Sequence, residues 1–138
     1  MGKHLSSNME DYLEAISLAA NEDGLARVTD VRDLLGVKTP SVTGALRVLA
    51  EGGYLKHEPY RGVTLTAKGR RAAEDVRRRH GILSSFLSEV LGVNAKTANI
   101  DACKMEHVIS RETLEKLHDF LHKYTGRPRH HTPDKKGK

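Results

Sequence analysis

The sequence predicts a mainly α protein, an N-terminal winged helix-turn-helix domain followed by an all-α domain. Three observations carry that expectation. Apolar residues recur at helical spacing through most of the chain. The only strand-like runs, "YLKHE" and "GVTLT", flank a "PYRG" turn. With no Trp, two Phe and four Tyr, the interior has to be built mainly from Leu, Val, Ile and Ala.

The elements follow in order. Ser7 and Glu10 form an S-x-x-E capping box before "MEDYLEAISLAA", which predicts a helix over about 8–21. Tyr12, Ala15, Ile16 and Ala19 make its apolar stripe, and "NEDG" breaks it. Thr29 is expected to cap the short helix "DVRDLLG", with Gly36 as its stop. In "TPSVTGALRVLAEGG", Thr39 is the expected N-cap, Pro40 the first helical residue and Gly52-Gly53 the end. Val42, Ala45, Leu46 and Leu49 form the inward stripe of that helix. Two short helices joined by a tight turn, then a hairpin, read as a helix-turn-helix with a wing.

Thr66 starts a longer helix, "AKGRRAAEDVRRRHGILSSFLSEVLG", which Gly81 weakens locally. Asn94 caps the next helix and Ser110 the last, "RETLEKLHDFLHKYTG". "RPRHHTPDKKGK" has no apolar content and reads as a disordered basic tail. The expected domains are 1–70 (winged helix-turn-helix), 71–126 (all-α) and 127–138 (tail). Leu83, Phe86, Leu87, Leu114, Leu117, Phe120 and Leu121 are more apolar surface than three helices hide alone, which predicts a symmetric homodimer.

At 138 residues the chain can bury an interior without staples. Its net charge of +5 is compatible with a polyanionic partner. The start, "MGKHLSSNMEDYLEA", lacks the apolar segment of a secretory signal, and no apolar run approaches membrane-spanning length. A single cysteine, Cys103, suits a reducing cytoplasm. A cytoplasmic protein with no membrane partner is therefore expected.

A recognition helix presents its N-terminal residues to base edges. Here these are Thr39, Pro40, Ser41 and Thr43, whose hydroxyls and ring suit bases, phosphates and thymine methyls. Lys38, Arg47, Arg61, Lys68, Arg70 and Arg71 supply cations for phosphates around it. Helix-turn-helix, wing and surrounding cations together point to double-stranded DNA more strongly than a basic face alone.

In "IDACKMEHVIS", Cys103, Glu106 and His107 stand at i, i+3 and i+4, on one face of a helix. Alone they could be structural. Helix 1 adds Asp11 and Glu14 beside its apolar stripe, and His80 lies where the long helix turns from basic to apolar. Two imidazoles, one thiolate and three carboxylates converging on one cavity would need a divalent cation to remove the cost of buried charge. A cysteine enzyme is the weaker reading, since nothing suggests an oxyanion hole or a cleft. His118, His122, His130 and His131 read as surface or tail groups.

From Asn8 to Tyr124 the chain resembles the diphtheria-toxin-repressor family of metal-dependent transcriptional regulators, in the two-domain form typified by manganese transport regulators. The resemblance rests on "MEDYLEAI", "TPSVTGALRVLAEGGYL", "YRGVTLTAKGRR", "RRRHGILSSFL" and "CKMEHVIS". It implies a homodimer that binds a palindromic operator when loaded with Fe²⁺ or Mn²⁺ and represses metal-homeostasis genes. It implies metal ligation by Asp11, Glu14, His80, Glu106 and His107. Cys103 matches the iron-type members, where manganese-type members carry Glu. The thiolate favours Fe²⁺, with Mn²⁺ next, one or two ions per subunit; Co²⁺, Ni²⁺, Zn²⁺ or Cd²⁺ are expected to substitute in vitro. The alternative is a winged-helix regulator answering to a small organic ligand or to oxidation of Cys103.

Overall fold

The structure, a computed structural model, describes residues 5–125. The expected tail, with His130 and His131, and the Gly126 stop lie outside the described residues. In order, the elements are α1 (Ser7–Ala19), β1 (Leu25–Ala26), α2 (Val28–Leu35), α3 (Thr39–Glu51), β2 (Leu55–Glu58), β3 (Gly62–Leu65), α4 (Ala67–Ser85), a π-helical turn (Phe86–Val90), α5 (Ala95–Met105) and α6 (Arg111–Thr125). Two compact units divide within α4, between Arg78 and Arg79.

The N-terminal unit holds the three-helix and wing arrangement expected of a winged helix-turn-helix. Its core joins Tyr12, Leu13 and Ile16 of α1, Val31 of α2, Val42, Ala45, Leu46 and Leu49 of α3, and Ala26, Leu55 and Val63 of the sheet. The inward stripe expected of α3 is buried throughout, because its spacing matches the helical turn.

The helix starts differ from expectation by a residue or two. Ser6, not Ser7, caps α1, accepting from the Met9 amide at 3.1 Å. That register lets Leu5 pack on the core. α2 begins at Val28, so Thr29 lies inside it rather than at its cap. The cause is a strand that the sequence reading missed: Ala26 pairs with Val63 in β1, leaving Arg27 alone to turn the chain into the helix. α3 starts at Thr39 with Lys38 as the extended residue before it, and Pro40 falls in the first turn, where its missing N–H costs nothing.

The sheet is antiparallel in the order β1-β3-β2, with Leu55 opposite Leu65 and His57 opposite Val63. Two glycines make this packing possible. A Cβ on Gly62 would sit 2.1 Å from the Ala26 carbonyl oxygen, and its φ of 141° suits glycine alone. A Cβ on Gly69 would sit 2.0 Å from the Tyr54 carbonyl oxygen. Without one, α4 starts directly against β2, its first turn capped by Thr66, whose hydroxyl accepts from the Gly69 amide at 3.1 Å.

The C-terminal unit holds the second half of α4, the π turn, α5 and α6. Leu83 and Leu87 pack on Ala98 and Ala102 of α5; Ile82 packs with Leu114 and Leu121 of α6. Asn94 and Ser110 cap α5 and α6 as expected, accepting from the Thr97 and Thr113 amides at 2.9 and 3.1 Å. The long helix does not run on regularly to Leu91. It widens at Phe86, whose carbonyl accepts from the Leu91 amide. Most of the apolar surplus is absorbed inside the unit. Phe120 remains 46% exposed, its ring edge-on to Phe86 at 6.2 Å and stacked on Tyr124 at 6.0 Å. None of the described helices is long and apolar enough to cross a membrane.

Candidate metal centre and nucleic-acid interface

Among the described residues, the C-terminal unit buries one charged side chain completely. Glu106, at the C-cap of α5, has no solvent exposure. An isolated carboxylate there would be costly. Two imidazoles approach it. His80 of α4, 19% exposed, places Nδ1 2.8 Å from Glu106 Oε1. His107, 9% exposed, places Nε2 3.5 Å from Oε2. Arg79 donates from Nη1 to the Glu106 backbone carbonyl, which anchors the end of α5 to α4.

Cys103 stands on α5 one turn before Glu106, outside any disulfide. One donor atom each from His80, Cys103 and Glu106 lies within 4.8 Å of the other two. Ligands held about 2.0–2.3 Å from an ion stand roughly 3–4 Å apart, so a contraction of at most about 1–2 Å brings this trio to coordinating distance. Oxygen, nitrogen and sulfur donors of this kind fit a borderline divalent transition metal.

Sequence spacing expects Cys103, Glu106 and His107 on one helix; α5 ends at Met105, so Glu106 is its C-cap and His107 lies just beyond it, and the fold brings Cys103 and Glu106 together with His80. Asp11 and Glu14 lie in the N-terminal unit, half-buried and a turn apart on α1. His118 is half-exposed on α6, with Nδ1 3.9 Å from Asp119. One polar partner escaped the sequence reading. Asn99 Oδ1 lies 2.7 Å from His80 Nε2. Its signal was present, since 99, 103 and 106 share one face at i, i+4 and i+7.

The nucleic-acid candidates occupy the surface of the N-terminal unit. Lys38, Thr39, Pro40, Ser41, Thr43 and Arg47 are all exposed, along the outer face of α3 and the residue before it. Arg32 Nη1 lies 3.4 Å from the Thr39 hydroxyl, at the limit of a hydrogen bond. Arg61 is exposed at the wing turn beside Tyr60, which is fully exposed with φ of 65°. Two expected cations also have structural work. Lys68 donates to the Gly52 carbonyl at 2.8 Å, with its ammonium 4.4 Å from the Tyr54 ring centre, and Arg70 donates to the Leu65 carbonyl at 3.1 Å. Sequence reasoning passed over Arg27, His57 and Tyr60, which with Arg61 line an open pocket of about 550 Å³ beside the wing. Only β1 brings Arg27 there.

The comparisons with known proteins agree with this division of labour. Residues 4–63 match the N-terminal DNA binding domain of the iron dependent repressors, and residues 66–134 match their metal binding and dimerisation domain. An uncharacterized HTH-type transcriptional regulator of Methanocaldococcus jannaschii is 40% identical over 87% of this chain and 97% of its own length. The transcriptional regulator MntR of Escherichia coli is 42% identical over 88% of this chain and 77% of its own. A manganese-dependent transcriptional repressor, solved in complex with manganese, superposes with a TM-score of 0.73 at 30% identity. That match covers 83% of this chain, which spans about half (52%) of the length of that structure. With both domain profiles matched in order and such relatives over most of its length, the chain belongs to the iron-dependent repressor family of metal-dependent transcriptional regulators.

Proposed function

We propose that the protein is a homodimeric repressor of metal-homeostasis genes that grips a palindromic operator when its subunits hold Fe²⁺, with Asp11, Glu14, His80, Cys103, Glu106 and His107 as the ligand set. The observation that carries this reading is the approach of the His80, Cys103 and Glu106 donor atoms to within 4.8 Å around a fully buried carboxylate. When bound, a divalent ion supplies the positive charge that this carboxylate and the thiolate need. Asp11 and Glu14 add carboxylates from α1, and so tie the DNA-binding unit to the metal-binding one. The exposed hydroxyls of Thr39, Ser41 and Thr43 then read base edges, while Lys38, Arg47 and Arg61 hold phosphates, helped by Lys68 and Arg70 at the start of α4. Fixing two recognition helices roughly 34 Å apart, or a multiple, reduces the freedom lost on docking. Metal and operator then strengthen each other's binding equally.

Fe²⁺ is favoured because a thiolate stands among the donors. Mn²⁺ is the second reading, favoured by the 30% identical repressor solved with manganese and by the relatives named MntR. The test is anaerobic selection and binding of DNA by the full chain, with and without a chelator, each metal then restored singly. Binding that ignores the chelator overturns the proposal and favours an organic effector or oxidation of Cys103. Cys103→Glu should move the Fe²⁺/Mn²⁺ competition ratio toward Mn²⁺ by about tenfold or more, the loss of one soft ligand. An unchanged ratio removes the thiolate from the ligand set.

A further inference from the structure

We propose that Asn99 is a positioning residue for His80: its side-chain carbonyl accepts a hydrogen bond from Nε2–H and so reserves Nδ1, the nitrogen beside Glu106, for a metal ion. The inference rests on the metal-binding reading of His80, Cys103 and Glu106, and adds a residue that the ligand set does not contain.

A neutral imidazole carries one N–H and one lone pair, and which nitrogen has which is set by the neighbours. Both ring nitrogens of His80 are engaged, Nδ1 at 2.8 Å from Glu106 Oε1 and Nε2 at 2.7 Å from Asn99 Oδ1. An amide carbonyl only accepts hydrogen bonds, so Nε2 donates to Asn99, and the 2.8 Å contact between Nδ1 and Glu106 Oε1 is held by a second hydrogen, which an incoming cation displaces. Nδ1, the nitrogen turned toward Glu106, is then the one available to a metal. Ligating histidines commonly donate their other ring N–H to such a partner, which sets ring orientation and raises basicity. The arrangement is built on rigid elements. Asn99 and Cys103 are one turn apart on α5, and His80 comes from α4, so one helix face offers a ligand and the group that aims another ligand.

Cobalt titration of the full-length protein under anaerobic conditions tests this, followed by the visible d–d and sulfur-to-cobalt bands. Asn99→Leu, which keeps the size and loses the acceptor, should weaken Co²⁺ binding roughly 10–100-fold, with the stoichiometry unchanged. Asn99→Ala should do the same, which guards against a packing fault from Leu. Asn99→Asp, an obligate acceptor, should restore wild-type affinity or exceed it. In a His80→Ala background, Asn99→Leu should have no further effect. The proposal is overturned by wild-type affinity in Asn99→Leu, or by an equal loss with His80 absent. It is also overturned by fewer ions bound at unchanged affinity, since Asn99 would then be a ligand itself. A wild-type protein that takes up no Co²⁺ removes the metal-site reading, and the role of Asn99 with it; normal uptake with an indifferent Asn99 removes only the latter.

Discussion

The two units bury different things. The N-terminal unit encloses an apolar cluster drawn from three helices, the sheet and the start of α4, and keeps the hydroxyls and most of the cations of α3 and the wing on its surface. The C-terminal unit packs small alanines and leucines around α5 and encloses Glu106, a carboxylate with no exposure, beside two imidazoles. One interior is arranged for packing, and the other spends part of its volume on a polar cluster. Burial therefore means different things in the two places, although both residues concerned, Leu46 and Glu106, are almost wholly covered.

Mutations can break this contrast. Leu46→Ala should destabilise the chain most, by about 2–5 kcal/mol, because it leaves a cavity among the residues of the winged domain. Denaturant melts of the metal-free protein measure it; a loss below about 1 kcal/mol would mean that this core is loosely packed. Next comes Ser110→Ala, which removes the hydroxyl that caps α6 and should cost about 1 kcal/mol in the same assay. The smallest effect on metal-free stability should come from the most buried polar residue. Glu106→Gln should stay within about 1 kcal/mol of the parent, since Gln keeps the size and a hydrogen-bonding oxygen while removing a charge whose burial is itself costly. The same variant should lose the rise in melting temperature that metal confers on the parent. A Glu106→Gln protein as unstable as Leu46→Ala would place the carboxylate in the structural core and erase the distinction between the units.

How much of this was legible beforehand differs from element to element. α3 could be read almost whole, since Val42, Ala45, Leu46 and Leu49 recur with the helical turn and Pro40 marks its beginning. Asn94 and Ser110 announced α5 and α6 because a cap acts on amides three residues away. β1 was invisible: two residues carry no periodicity, and Ala26 becomes strand only because Val63 is there to pair with. The expected start of α2, Asp30 after a Thr29 cap, is consequently two residues too late. In the candidate metal centre, Cys103, Glu106 and His107 are grouped by spacing alone, whereas the distance from His80 to Glu106 crosses 26 residues of chain and no local pattern records it. Lys68 and Arg70 read as generic phosphate-binding cations, and only the fold reveals the carbonyls of Gly52 and Leu65 at their ends.

Local chemistry in the chain thus settled the existence of the helices, the caps of α5 and α6, the wing turn and the presence of metal-ligating side chain types, because each depends on neighbours within a turn or two. The folded molecule alone decided that His80 would stand between Asn99 and Glu106, that Gly62 and Gly69 would admit a close backbone, and that α4 would widen at Phe86. Those outcomes depend on atoms brought together from distant parts of the chain, where packing and hydrogen bonding choose among arrangements that the local sequence leaves equal.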